Sequence, residues 1–420
     1  MSSLRKAPVK HALYCAAVAL FTHSSAHAID LVGSIELAKN GDPKYQAAKA
    51  EKDANNANSI ASRTAYLPGL IWAQSQPSVL NYSQKTTVMS QPIFDAAKGA
   101  TVLQGGAQST FAAANFANQS IDLAVRTFTA VQQIVVATEA LKANESSIAA
   151  YEFQYKGAQR KLELGQGTVT DLLDVQVRFE QAKANHLTLQ ANLKAANDQF
   201  NAITGEYPTK TDFILPHQHE TVKLEPIDSV LAKVDAENTT IIAAVANERI
   251  AQLDIAKASA AVLPTVSYTW QRISAVSVPT TNNNGITISI PLNAAAYVNT
   301  YASTAKARQS SDTRLAAQVQ TKTQAQSLHA QVEAGFEALK IRNQAVNTAR
   351  QSVVANQKSY EAGVKSTTDV LISIQSLAQT RNDYAQSATQ IALNYLNLLL
   401  VAAEDPDKAV SKTQAFLFRK

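Results

Sequence analysis

Cysteine is almost missing from this sequence: one residue, Cys15, in 420. A single cysteine excludes a disulfide framework and any multi-thiolate metal site. Glycine is scarce at 13 residues and aromatic residues make up 6%, a composition better suited to long helices than to a loop-rich enzyme. Only 17% of residues are charged, with a net charge of +5, so the chain is neither disordered by charge nor polybasic. Three of the basic residues, Arg5, Lys6 and Lys10, precede the apolar run Leu13 to Phe21 and the small-residue stretch ending Ala26-His27-Ala28. That order is a secretory signal, predicted to span 1–28 and to be cleaved after Ala28. The remainder carries +2 and gives no support to nucleic-acid binding. Cys15 follows Tyr14 inside the apolar run, where a lipid-anchor cysteine would instead follow small residues at the cleavage point. Past the signal no apolar run reaches the ~18 residues of a spanning helix, so any passage through a membrane is by strands.

Reactive constellations are missing too. Of the seven histidines three belong to the signal; His217 and His219 stand beside Glu220 in a proline-rich stretch that reads as a surface loop. There is no G-x-S-x-G, P-loop or H-E-x-x-H pattern. Asp171 and Asp174 form an i, i+3 carboxylate pair, which at a helix N-terminus complements the dipole. The expectation is no catalytic residue, no cofactor and no metal.

What is present is a repeat. Gly165-Gln166-Gly167-Thr168-Val169-Thr170-Asp171-Leu172-Leu173 recurs 198 residues later as Gly363-Val364-Lys365-Ser366-Thr367-Thr368-Asp369-Val370-Leu371. Leu67-Pro68 recurs as Leu263-Pro264 and Asp42-Pro43 is matched by Asn238-Thr239, each at an offset of 196. Ser90-Gln91-Pro92-Ile93 recurs as Ser289-Ile290-Pro291-Leu292 at 199. Four landmarks in one order at nearly one offset mark a duplicated unit. The predicted division is 29–207 for the first repeat, 208–227 for a linker with Pro208, Pro216 and Pro226, 228–402 for the second repeat, and 403–420 for a short polar tail that packs loosely.

Within each repeat the pattern changes period. Residues 29–66 fit a helix of small contact residues, stopped by Leu67-Pro68-Gly69. Two short segments follow, Leu70–Gln76 and Thr86–Phe94, divided by Pro77 and Asn81. In the second copy Val266, Tyr268 and Trp270 alternate with polar residues, as do Ile286, Ile288, Ile290 and Leu292 beyond Asn282-Asn283-Asn284-Gly285. This predicts a β-hairpin with its turn at Asn282–Gly285, one face apolar and the other Thr/Ser. Such a pair is either a lipid-facing wall with a wet lumen behind it or half of a soluble sandwich. Trp72 and Trp270, with Tyr268 and Tyr82, are candidates for an aromatic belt at a membrane surface, or for ordinary packing on a sheet.

Asp95 to Leu164 and Ala294 to Ala362 contain no proline, so each predicts a helix of roughly 100 Å. Ile134, Leu141, Ile148, Tyr155 and Leu162 are seven apart, and Val332, Leu339, Val346, Val353 and Tyr360 stand 198 later. Past the glycine motif the stripe resumes at Leu172, Phe179, His186, Leu193 and Phe200, with twins at Val370, Leu377, Tyr384, Ile391 and Leu398. A sustained heptad stripe predicts coiled coils or a helical barrel. The glycine at each motif offers a left-handed turn between two long helices, and Thr170-Asp171 and Thr368-Asp369 are N-cap candidates.

The ordered, duplicated set of helix, hairpin, long helix, glycine turn and long helix resembles the TolC family of outer-membrane channel-tunnels over about 29–402. Asn40-Gly41-Asp42-Pro43, Tyr66-Leu67-Pro68 and Ser90-Gln91-Pro92-Ile93-Phe94 look like the branch serving type I secretion and general efflux. The resemblance implies a mainly α fold with a small β part. Three chains would form a long periplasmic α-barrel continued by a shared 12-stranded outer-membrane β-barrel, four strands per chain. It implies a homotrimer in outer-membrane lipid, working with a periplasmic adaptor (a membrane fusion protein) and an inner-membrane ABC or other transporter. By position, Asp171 matches the acidic partner of contacts that close the periplasmic tip, Tyr360 the tyrosine, and Lys365 the basic partner, where the family has arginine. Asp369 matches a carboxylate ring of the pore; a second ring falls on Ile372. The turns themselves, with Gly165, Gly167, Thr168, Gly363, Ser366 and Thr367, are the expected adaptor-docking tip. The implied function is an exit duct with no catalytic step, favoured for type I secretion. A multidrug-efflux outlet is the alternative, and a periplasmic coiled-coil scaffold without a pore is the rival of another class.

Overall fold

A computed structural model of the chain describes residues 29–76, 83–209, 212–216, 222–275, 278–291 and 294–418. The signal, Pro77, Asn81, Tyr82, His217, His219, Glu220 and Leu292 lie outside the described residues. The duplication is explicit in the elements. The first copy runs α1 (Leu31–Gly41), α2 (Pro43–Arg63), β1 (Gly69–Ser75), β2 (Gln84–Phe94), α3 (Ala96–Glu163) and α4 (Val169–Thr204). The second runs α5 (Ile227–Glu237), α6 (Thr239–Ala260), β3 (Thr265–Ala275), β4 (Val278–Ser289), α7 (Ala295–Glu361) and α8 (Thr367–Val401). A last helix, α9 (Pro406–Leu417), follows. No helix among the described residues is long and apolar enough to cross a membrane.

Local chemistry explains the boundaries. The stretch expected as one helix over 29–66 is two, because Asp42 leaves the helical conformation and caps α2, accepting from Tyr45 N at 3.2 Å, with Pro43 in the first turn. Its repeat partner Asn238 does the same for α6, accepting from Thr240 N at 3.0 Å. The 196-residue landmark is therefore a pair of helix caps. The proline-free stretches are single helices, α3 of 68 residues and α7 of 67, each about 100 Å long. None of the twenty heptad-stripe positions is exposed; His186, the polar one, is half-buried with Nε2 2.8 Å from Gln190 Nε2.

The four strands form one antiparallel sheet in the order β1-β2-β3-β4. Each repeat supplies a hairpin, and the two hairpins are joined by β2–β3 pairing, from Gln84 opposite Ala275 to Pro92 opposite Ser267. The expected turn at Asn282–Gly285 is wrong. Those residues lie within β4, paired with Arg272 to Thr269, and Ala275 pairs with Val278. The longer ladder on β3 outweighs the local turn preference of an Asn-Gly pair.

The largest core lies where the short helices wrap the long ones. Leu31 and Ile35 of α1, Phe128 and Val131 of α3, Phe200 of α4, Leu396 of α8 and Leu417 of α9 are all buried there. A second core joins Val230 and Val234 of α5 to Val332 of α7 and Leu398 of α8. The loosely packed tail is thus corrected. Asp405 caps α9, and Ala409, Val410, Phe416 and Leu417 are buried, with Phe416 5.1 Å from Phe336 between ring centroids.

Candidate functional site

Each tip turn is built twice from the same backbone parts. In the first copy Gln166 N donates to Lys161 O at 2.8 Å and Gly165 N to Leu162 O at 3.0 Å; in the second, Val364 N donates to Ser359 O at 2.9 Å and Gly363 N to Tyr360 O at 3.0 Å. These are Schellman closures, which place the glycine in the left-handed region: φ is 71° at Gly165 and 74° at Gly363. Gly167 is held close to α3, where an added Cβ would stand 3.1 Å from Lys161 Cβ.

The next helices begin at Val169 and Thr367, so the N-caps are Thr168 and Ser366 and not Thr170-Asp171 and Thr368-Asp369. The hydroxyl at the cap reaches the third N–H of the helix, which leaves the aspartate at the third position facing the positive end of the dipole. Asp171 N donates to Thr168 Oγ1 at 3.0 Å and Asp369 N to Ser366 Oγ at 3.2 Å. Asp369 closes a full capping box, accepting from Ser366 N at 3.0 Å and from Ser366 Oγ at 2.8 Å. Hydrogen bonds from the Ser366 backbone and side chain, with the nearby Lys365 charge, hold the Asp369 carboxyl below the usual carboxylate range.

The lock residues expected by resemblance have other neighbours inside one chain. Lys365, in the turn just before the Ser366 cap, places Nζ 3.5 Å from Oδ1 of Asp369 in the first turn of α8. Asp171 accepts from Thr168 Oγ1 at 2.6 Å. Tyr360 lies under Lys161, whose Nζ is 3.9 Å from the ring centroid, a cation–π contact from the first tip to the second. Sequence reasoning missed Lys161, and with it the polar ties between the coils: Arg178 Nη1 to Gln375 Oε1 at 3.0 Å, and Gln154 to Gln357. Around them Tyr151, Val175, Val370, Leu371 and Ile374 form one apolar cluster shared by the two coils. Thr367 is buried, whereas Val364 is 79% and Ile372 55% exposed. The surface of the tip is therefore more apolar than the turn glycines suggest.

At the other end, the sheet has two unlike faces. Residues opposite one another in the register share a face, and alternate residues along a strand return to it. One face carries Leu70, Trp72, Met89, Tyr268, Trp270, Ile286 and Ile288, with Gln91 and Asn284 among them and Lys85, Thr87, Arg272 and Asn282 toward its far end. The other carries Ser90, Ser267, Thr269, Thr281 and Thr287 with Ile71 and Val88 among them. The three expected interface aromatics share one face, in adjacent rows. Trp72 is 62% exposed, and none of the three belongs to a buried core. Among the described residues no group of three or more His, Cys, Asp or Glu is placed to hold a metal.

Similarity to known proteins follows the same outline. Over 403 residues the chain is 25% identical to the alkaline protease secretion protein AprF of Pseudomonas aeruginosa, covering 88% of this chain and 83% of that one. It is 24% identical over 420 residues to the proteases secretion protein PrtF of Dickeya chrysanthemi, covering 90% and 89% of the two chains. It is 21% identical over 410 residues to the outer membrane protein TolC of Escherichia coli, covering 89% and 82%. In fold it is similar to the outer membrane protein VceC of Vibrio cholerae, with a TM-score of 0.76 at 15% identity over 89% of this chain and 96% of that one. The CmeC outer membrane channel of Campylobacter jejuni gives 0.76 at 12% identity over 93% and 90%. Residues 34–206 and 230–403, the two repeats, each match the outer membrane efflux protein family, and the chain belongs to that family.

Proposed function

We propose that three copies of this chain close into an outer-membrane exit duct that carries substrate from an inner-membrane transporter and a periplasmic adaptor to the exterior. The observation that carries this reading is the sheet: four strands with an apolar face, packed into no core, ending in edge strands β1 and β4. Lateral pairing of β1 with a neighbour's β4 satisfies both edges and makes a 12-stranded barrel. The 68- and 67-residue helices then extend through the periplasm. The leader at 1–28, with cleavage after Ala28, delivers the chain there. Conductance of the purified protein in planar bilayers, together with a heat-modifiable trimer on gels, tests the reading. A chain that conducts nothing and runs as a monomer is the pore-free scaffold instead.

Type I protein secretion is the favoured use, because AprF and PrtF are named for protease secretion. Small-molecule efflux is the second reading, supported by the family description and by the likeness to VceC and CmeC. The inner-membrane protein that copurifies with the trimer distinguishes the two.

The tip is the proposed gate and docking end. Asp369 supplies one ring of three carboxylates, with Ile372 one turn further in a place that carries no charge. Asp171, Lys365 and Tyr360 contribute closing contacts between coils of neighbouring chains, and lysine in place of arginine lacks the bidentate fork. The adaptor meets the turns around Gly165, Gly167, Thr168, Gly363 and Ser366, with Thr367 supporting them from beneath. Block of single-channel current by divalent cations is expected to be lost in Asp369→Ala; block that persists removes Asp369 from this role.

A further inference from the structure

The four strands contain only two charged residues, Lys85 and Arg272, and no carboxylate. Lys85 stands opposite Ser274 and Arg272 opposite Thr87, so the two cations lie on adjacent strands, one row apart on the same face. Diagonal neighbours of this kind have Cα atoms roughly 7–8 Å apart, within reach of one multivalent group. Both are exposed. Trp72 shares Thr87's row and Asn282 shares Arg272's, so each cation borders polar side chains and an aromatic ring. The next rows on this face are Leu70, Met89, Trp270 and Asn284, then Gln91, Tyr268 and Ile286. The helices leave the sheet at the opposite end, where β2 runs into α3 and β3 follows α6. The cations therefore cap the apolar face on the side away from the helices.

We propose that Lys85 and Arg272 form a binding site for the phosphate groups of a phosphorylated glycolipid in the outer leaflet, repeated three times around the barrel. This rests on the barrel reading above. Two cations with no carboxylate on the whole sheet are left for the lipid to neutralise, at the height where an apolar face meets headgroups. Thr87 and Asn282 beside them suit the hydroxyls of a sugar headgroup, which selects a glycolipid over a simple phospholipid.

The test uses the assembled full chain in neutral-lipid vesicles doped with bisphosphorylated lipid A, with its dephosphorylated form, or with phosphatidylglycerol. The lipid retained after detergent extraction is quantified by mass spectrometry, and conductance is measured on the same preparations. The wild type is expected to retain bisphosphorylated lipid A over the dephosphorylated form by about fivefold for each cation. Lys85→Gln/Arg272→Gln should bring that ratio to about one while still conducting, with each single variant between. A ratio unchanged in a conducting double variant overturns the site, as does equal retention of phosphatidylglycerol by the wild type. If the double variant fails to assemble, the single variants decide by the same ratio. A wild type that does not conduct overturns the barrel itself and the site with it.

Discussion

Replacing Arg126 by methionine tests whether the junction of α1 and α2 on α3 is held by charge. Arg126 Nη2 donates to Asp42 Oδ2 at 2.5 Å and Nε to Asp122 Oδ2 at 2.8 Å. The Asp42 side chain is only 7% exposed, whereas Asp122 is 38% exposed and also meets Lys44 at 2.9 Å. Burial alone would push the Asp42 carboxyl up. The Arg126 hydrogen bond and charge, with backbone donors at Tyr45 and Lys44, outweigh burial and hold it below the usual range. Methionine keeps most of the stem volume and deletes the charge, so a buried carboxylate is left with backbone donors only. Removing one partner of a buried pair costs about 3–5 kcal/mol, and the surviving backbone bonds set this case near 3. The partly exposed Asp122 adds little. Adding Asp42→Asn removes the orphaned charge and keeps the cap, since asparagine caps as well as aspartate, and should recover about 2 kcal/mol. The assay is urea unfolding followed by helical circular dichroism across a pH series. A depressed folded pKa gives stability that is present above the unfolded value, about 3.9, and lost as pH falls through the folded value. The wild type's advantage over Arg126→Met must therefore shrink below about pH 4. A cost under about 0.5 kcal/mol at neutral pH, or a double variant no better than the single, refutes the reasoning.

Three further outcomes are expected. Gly363→Ala forces a side chain into a φ of 74° and should cost about 1 kcal/mol at the tip, read as faster hydrogen exchange at Gly363 and Val364 with global unfolding nearly unchanged. Gly105→Val places a Cβ 2.9 Å from Ser62 Cβ and 3.0 Å from Ser59 O, and pushes α2 off α3 at the 2.7 Å Ser59-to-Gly105 hydrogen bond; a loss of about 2 kcal/mol is expected in the same urea assay. Burial pushes the Tyr384 hydroxyl up to about 12. A raised folded value favours the protonated form, so this contribution is complete below the unfolded value of about 10 and fades as pH rises toward 12. The stability of the wild type relative to Tyr384→Phe should therefore fall between about pH 10 and pH 12, and a constant difference contradicts the assignment.

Much of the architecture was legible because it is periodic. The heptad stripe from Ile134 to Leu162 and its twin from Val332 to Tyr360 marked α3 and α7, and the missing prolines marked their extent. Asn282–Gly285 misled because a dipeptide turn preference is local, whereas the β3–β4 ladder is decided by ten pairings at once. The tail misled for another reason. Lys408, Ser411 and Lys412 made it look polar, but Ala409, Val410, Thr413, Phe416 and Leu417 recur at helical spacing and occupy one face. Polar ties between the coils, such as Lys161 over Tyr360, were not legible at all. They depend on the rotation and register of one coil against another, which the apolar stripe leaves undetermined.

The two halves of the chain are fastened unequally at their two ends. At the sheet they are joined by the β2–β3 ladder, a row of backbone hydrogen bonds that substitution of side chains scarcely alters. At the tips, about 100 Å of helix away, the junction is made of side chains alone: an apolar patch, two amide or guanidinium bonds and one ammonium over a ring. The turns are closed by their own main chain, so bending is not stored in them. Between the two ends the halves also share the core around Phe128, Phe200, Leu339 and Leu396, so only the coil segments beyond that core form levers, and side chains latch them at the tip. Small changes of side-chain chemistry at the latch therefore act on those segments alone, and leave the backbone ladder at the sheet untouched.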